Sequence, residues 1–121
     1  MSIATLIGVG LLGGCGAVAR LLADGSVSAR LPMTFPIGTF AVNMTGSLVL
    51  GVLAGATTDA ETLRLLAVGL LGSFTTFSTW MFESQRLTED GEGGPAIANI
   101  VGSLLVGIPL AWIGLQIGGL F

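Results

Sequence analysis

Histidine is absent from this chain, lysine is absent, and cysteine occurs once, at position 15. Each absence removes a class of function. Without histidine the usual general base and the commonest metal ligand are missing. With arginine as its only basic residue type and a formal charge of −3, the chain offers no basic patch for nucleic acid. A lone Cys15 cannot form an internal disulfide, and its small neighbours point to helix packing rather than redox chemistry. Charge of either sign is scarce, at 9% of 121 residues. Glu83 is the sole carboxylate expected within a membrane span, so no carboxylate pair, and no Ser-His or Cys-His set, is available for catalysis. The chain reads as a non-enzyme.

What is present is apolar. Hydrophobic residues make up 52% of the chain and mean hydropathy is +0.94, values that belong to an integral membrane protein rather than a soluble domain. Ile3 to Leu22 is long enough to cross the hydrocarbon and carries no charge before Arg20. Asp24 to Thr34 reads as a polar loop ending at Pro32 and Pro36. Span two runs from about Pro36 to Ala56, and Thr57 to Glu61 form an acidic turn. Span three covers about Thr62 to Gln85, and Arg86 to Gly94 form a loop. Span four begins near Pro95, runs to about residue 120, and is expected to bend at Pro109. The fold class is therefore an all-α membrane protein, a single four-helix unit with both termini on one side. A bundle this small has little interior room for a pore, so it is expected to oligomerise. Arg20, Arg30 and Arg86 face one side and Arg64 the other, a bias too weak to fix orientation. Insertion both ways permits an antiparallel dimer with its two-fold axis in the membrane plane; the alternative is one fixed orientation.

Span three contains Gly72-Ser73-Phe74-Thr75-Thr76-Phe77-Ser78-Thr79-Trp80, with five hydroxylated and three aromatic residues beside a glycine. Hydrocarbon supplies no hydrogen-bond partners, so a spanning helix normally satisfies its own backbone. Glycine and hydroxyls relax that rule, releasing carbonyls toward an ion while the aromatics pack or line a path. A straight helix whose Ser and Thr bond back to their own carbonyls is the other reading. In span two, Thr39, Asn43, Ser47, Gly51 and Gly55 recur at i, i+4 and share a face. The Asn43 carboxamide is there to donate to an anion or to bond a neighbouring helix. Asn99, Ser103 and Gly107 repeat the pattern in span four, and Gly10, Gly13, Gly14, Gly16 and Ala17 give span one a small surface for close packing. Arg20 and Glu83 read either as boundary charges solvated by snorkelling or as vestibule groups.

Two motif matches carry nothing. Gly8 to Gly13 fits G-x-G-x-x-G without a preceding strand, Asn43-Met44-Thr45 fits a glycosylation sequon at an inaccessible depth, and neither belongs to a soluble site. The mid-membrane polar groups are amides and hydroxyls, which donate, and aromatic ring edges are positive. Such a lining suits a small, strongly hydrogen-bonding anion, of which fluoride is the natural example, although spacing alone does not name the ion.

Three blocks then carry a resemblance: Gly13 to Arg20 in span one, Gly38 to Gly46 in span two, and Gly72 to Thr79 in span three. Together with length and layout they resemble the small dual-topology fluoride channels, the Fluc or camphor-resistance membrane proteins. The resemblance implies an antiparallel dimer in the plasma membrane, with two pores that let fluoride leave the cytoplasm passively and lower its toxicity. It implies a broken third helix and a structural Na⁺ at the dimer centre, held by backbone carbonyls of Gly72 and Thr75 from both subunits. Phe77 and Trp80 correspond to the family's pore phenylalanines, Asn43 to its pore asparagine, Ser78 and Thr79 to adjacent hydroxyls, and Ser103 to a serine on the span-four polar track. Two positions depart: Trp80 replaces phenylalanine, and Asn99 stands where tyrosine is common. Some members are heterodimers of unequal homologues; the weak arginine bias favours a homodimer. The rivals are a small proton-coupled drug exporter and a non-transporting assembly subunit. The exporter requires a carboxylate in its first span, and Ile3 to Ala19 has none. The assembly subunit leaves the clustered hydroxyls and aromatics unexplained.

Overall fold

The computed structural model describes residues 1–121 and is entirely helical. Helix α1 spans Ile3–Arg30, with the Ser2 hydroxyl accepting from the Thr5 N–H at 3.1 Å to cap it. It runs on well past Leu22, where a polar loop was expected. The reason is local: no proline lies between Asp24 and Arg30, Gly25 keeps helical geometry, and the Ser28 hydroxyl donates back to the Asp24 carboxylate at 3.2 Å, one turn away. The helix stops only ahead of Pro32, where Leu31 has φ −127° and ψ 68°. Helix α2 spans Ile37–Ala56 behind Pro36. A short turn leads to α3, Ala60–Thr62, capped by Asp59, whose carboxylate accepts from the Thr62 N–H at 2.9 Å and hydroxyl at 2.6 Å. Those two bonds hold the exposed Asp59 carboxyl below its usual pKa.

The third crossing is composite. A nine-residue π-helical segment, Leu63–Leu71, follows α3 and leads into α4, Gly72–Phe74. The chain leaves helical geometry over residues 75–77 and resumes as α5, Ser78–Glu89. The widened segment closes with the Gly72 N–H donating to the Ala67 carbonyl. Where the bonding narrows again, the Ser73 hydroxyl reaches back to the Gly69 and Leu70 carbonyls at 2.9 and 3.0 Å. Helix α5 continues to Glu89, beyond the expected loop start at Arg86, because no glycine interrupts it before Gly91. Gly91 is the one residue with positive φ, 78°, and it makes the turn into α6, Gly93–Gly118, which passes through Pro109 without interruption. Four helical stretches are long and apolar enough to cross a membrane: α1, α2, Ala60–Glu89 and α6.

Burial is inverted relative to a soluble bundle. Thr5, Thr39, Ser84, Asn99 and Ser103 are buried, while Ile3, Leu11, Leu21, Leu105 and Ile108 face outward. Lipid solvates the outward side chains as well as a core would, so helix contact is left to small residues and polar bonds. The largest contact, α2 with α6, is built that way. A side chain on Gly51 would strike the Ala111 carbonyl, and one on Gly114 the Leu48 carbonyl; Gly55 and Gly118 are equally tight. Helix α1 lies on the π-helical segment: a side chain on Gly16 would strike the Leu70 carbonyl, and a Cβ on Gly69 would come within 3.2 Å of the Val9 backbone. Of the small surface read on span one, Gly16 is the residue in close contact; Gly10 and Gly14 face open space.

Gly114→Val is expected to prise α2 from α6 and destabilise the fold by about 1–3 kcal/mol or more. Gly10→Val, which meets nothing, should stay within about 0.5 kcal/mol of wild type. Unfolding by SDS in mixed micelles measures both; equal midpoints for the two variants would contradict the packing account.

Candidate functional site

At Thr76 the backbone N–H and carbonyl both lose their helical partners inside the bilayer, where each orphaned group costs several kcal/mol. Asn43, projecting from α2, supplies what is missing. Its Nδ2 donates to the Thr76 carbonyl at 2.9 Å, and its Oδ1 accepts from the Thr76 N–H at 2.8 Å. A carboxamide presents one donor and one acceptor side by side, as a peptide group does, so a single side chain replaces both lost bonds. Of the two roles open to Asn43, the bond to a neighbouring helix is therefore present, and one Nδ2 hydrogen remains beyond it. The Ser47 hydroxyl donates to the Asn43 carbonyl at 2.8 Å, and the Thr76 Oγ1 accepts from the Thr79 N–H at 3.1 Å to start α5.

The break opens on a groove of about 400 Å³ between α2, the third crossing and α6. Asn43, Gly72, Thr75, Phe77, Trp80 and Ser103 all line it. Phe77 and Trp80 meet edge to face, centroids 5.5 Å apart and planes at 85°. The Phe77 ring is 70% exposed. The Ser103 hydroxyl is buried and has no partner within the chain. Backbone carbonyls along the break differ sharply. That of Ser73 accepts from the Arg20 Nε at 3.2 Å, that of Thr76 from Asn43, and that of Phe77 from the Met81 N–H. Those of Gly72 and Thr75 accept no hydrogen bond. No cluster of three or more His, Cys, Asp or Glu exists, so these two free carbonyls are the groups suited to a hard cation.

The remaining expected residues lie elsewhere. Ser78 is exposed and lies 3.4 Å, hydroxyl to hydroxyl, from Thr76. Thr79 and Arg20 line a second hollow of about 280 Å³, with Asp24, Thr39 and Thr76. Thr76 lines both hollows and so forms the partition between them. Glu83 is half-buried near a cleft formed with Ser28, Arg86 and the Pro32–Pro36 loop. Asn99 is fully buried and does not line the groove. Its Nδ2 donates to the Ser84 hydroxyl at 2.8 Å and the Trp80 carbonyl at 3.3 Å, while the Trp80 indole donates to the Asn99 carbonyl at 2.9 Å. The residues that sequence reading passed over are Thr76, the partner of Asn43, and Ser84. The spacing of Ser84 one turn after Trp80, with Asn99 in the next span, is the signal that was available.

Residues 7–115 match the family model described as CrcB-like protein, Camphor Resistance (CrcB). The chain is 48% identical over 114 residues to fluoride-specific ion channel FluC 2 of Mycobacterium tuberculosis, covering 94% of this chain and 90% of the relative. It is 43% identical over 119 residues to FluC 2 of Mycolicibacterium paratuberculosis, covering 98% of each. It is 38% identical over 117 residues to fluoride-specific ion channel FluC of Geobacter metallireducens, covering 93% and 94%.

Asn43→Ala leaves the Thr76 N–H and carbonyl unpaired, at about 1–3 kcal/mol for each group. The expected result is a lower SDS midpoint together with faster hydrogen exchange at the Thr76 amide. Unchanged exchange there would mean that Asn43 does not hold the break.

Proposed function

The chain belongs to the CrcB-like camphor-resistance family, and on that premise we propose that it is a fluoride-specific ion channel. It is a multi-pass protein of the plasma membrane and not an enzyme. The observation that carries the reading is the convergence of Asn43, Ser103, Phe77 and Trp80 on one groove beside a helix break that Asn43 itself stabilises. Fluoride is a compact, strong acceptor. The free Asn43 Nδ2 hydrogen, the unpartnered Ser103 hydroxyl and the positive edge of the Phe77 ring are donors of the kind that replace its water shell. Larger halides gain less from each donor and need more width. Arg20, on the far side of the Thr76 partition, adds a positive charge near the approach.

Conduction needs no coupling. Hydrogen fluoride crosses lipid as the neutral acid and dissociates in the cytoplasm, trapping the anion. A negative interior then expels each fluoride with about 2.3 kcal/mol per 100 mV. The channel drains the cytoplasm passively and so lowers fluoride toxicity.

The groove is open along one side in the single chain, and a second copy inserted in the opposite sense would close it. We take the working unit to be an antiparallel homodimer, favoured by the weak arginine bias, with a heterodimer as the alternative. A Na⁺ at its centre is supported by the Gly72 and Thr75 carbonyls, which have no other partner; two subunits would present four such oxygens. When bound, the ion supplies positive charge that offsets the cost of anions in low dielectric.

Purified protein in liposomes is expected to release fluoride rapidly without a proton gradient and to retain chloride. Asn43→Asp, which places a carboxylate in the groove and loses the donor to Thr76, should stop the release. Absence of fluoride release from folded wild-type protein, even after co-expression with a homologue, would sink the channel reading. Protein prepared with N-methylglucamine in place of Na⁺ should lose activity and regain it on Na⁺ addition; undiminished flux would remove the cation from the account.

A further inference from the structure

Beside the groove, α5 and α6 are joined by a closed ring of hydrogen bonds around Trp80. The indole Nε1 donates to the backbone carbonyl of Asn99 at 2.9 Å. The Asn99 Nδ2 donates to the Ser84 hydroxyl at 2.8 Å and to the Trp80 carbonyl at 3.3 Å. The Ser84 hydroxyl donates to that same Trp80 carbonyl at 2.8 Å. Asn99 is 0% and Ser84 3% exposed, so neither water nor a headgroup competes for these bonds. Trp80 is held at both ends, its ring through the indole N–H and its backbone through a carbonyl with two donors. Phe77, the other aromatic of the groove, has no polar side-chain atom with which to be held.

We propose that Asn99 and Ser84 are positioning residues that act through Trp80: their side chains hold the Trp80 backbone against α6, which keeps the Asn99 backbone carbonyl within reach of the indole and makes the ring a rigid wall of the ion path. Its effect on conduction rests on the channel reading; the restraint on the indole does not. A ring with two rotatable bonds and no polar tether samples several rotamers on the nanosecond scale. The tether removes that freedom, so the width of the groove at this level follows the spacing of α5 and α6 rather than the rotation of a side chain. The N–H that a tryptophan adds over a phenylalanine is spent on anchoring, not on the ion. Asn99 likewise contributes nothing directly to the groove, from which it is excluded.

Trp112, exposed on α6, is the only other tryptophan, so Trp112→Phe leaves Trp80 as the sole fluorophore. Time-resolved anisotropy and fluoride efflux are then read in the same proteoliposomes. In this background Trp80 should show only slow overall motion. Asn99→Leu should add a fast local component and slow fluoride efflux about tenfold, the equivalent of one buried hydrogen bond. Ser84→Ala, which removes a single hydroxyl and disturbs folding least, should move both readouts the same way, by about threefold in rate. An indole that stays restrained in both variants would overturn the proposal, as would one that becomes free with efflux unchanged. Should Asn99→Leu fail to fold, Ser84→Ala decides alone. A background protein without efflux would count against the channel reading, and the anisotropy would still decide whether Asn99 and Ser84 hold Trp80.

Discussion

A break in a spanning helix needs something other than lipid to satisfy the freed backbone, and at Thr76, in the middle of this one, that something is one carboxamide. Asn43 bonds both the N–H and the carbonyl of Thr76. The rest of the site follows from that double bond. It allows residues 75–77 to stay unwound, which turns the Gly72 and Thr75 carbonyls away from helical partners and opens the groove lined by Phe77, Trp80 and Ser103. It also fixes α2 relative to the third crossing by direct polar bonds rather than by packing. The residue that maintains the unwound segment is thereby the residue that faces the path.

The same economy appears in how the helices meet. In hydrocarbon, association cannot draw on burial of apolar area, because the outward leucines and isoleucines are already solvated by lipid. Gly51, Gly55, Gly114 and Gly118 instead let α2 and α6 approach until each would exclude any side chain from the other. That proximity brings Asn43 and Ser103 onto one groove. Glycine at the contact and amide or hydroxyl at the groove are consequences of one stripe of sequence, small at one end and polar at the other.

The four spans were legible because length and hydropathy suffice to mark them, and the break was legible because glycine and hydroxyls gather nowhere else in span three. Helix ends were less so. The polar residues from Asp24 to Arg30 look like a loop by composition, yet Asp24 and Ser28 bond one turn apart and nothing interrupts the helix before Pro32. The π-helical segment Leu63–Leu71 left no mark at all, since its residues are ordinary helix formers, and its packing on α1 and the bond from Ser73 back to Gly69 are long-range or conformational facts that spacing does not show. Sequence spacing placed Asn99 and Ser103 on one face of span four, which is correct, but a face does not reveal which residue meets the groove and which meets a neighbouring helix. That distinction rests on the tie between Trp80 and Asn99, whose two ends are nineteen residues apart.

The site also places its polarity unevenly, and the unevenness bears on how an anion moves. Where Thr76 separates the two hollows, the side toward α1 holds Arg20 and Asp24, while the side toward α6 holds no charged residue. A bare charge in the narrow part would bind an anion too tightly for it to leave, whereas hydroxyl, amide and ring-edge donors replace hydration without creating a deep well. Charge is therefore useful at the approach and harmful in the path. Asn43 satisfies both demands at the boundary, because it is neutral, already committed to Thr76 through two of its bonds, and left with a single hydrogen to offer. An acid of the same shape at that position would keep the acceptor, lose the donor and add the one charge that a path for anions cannot hold.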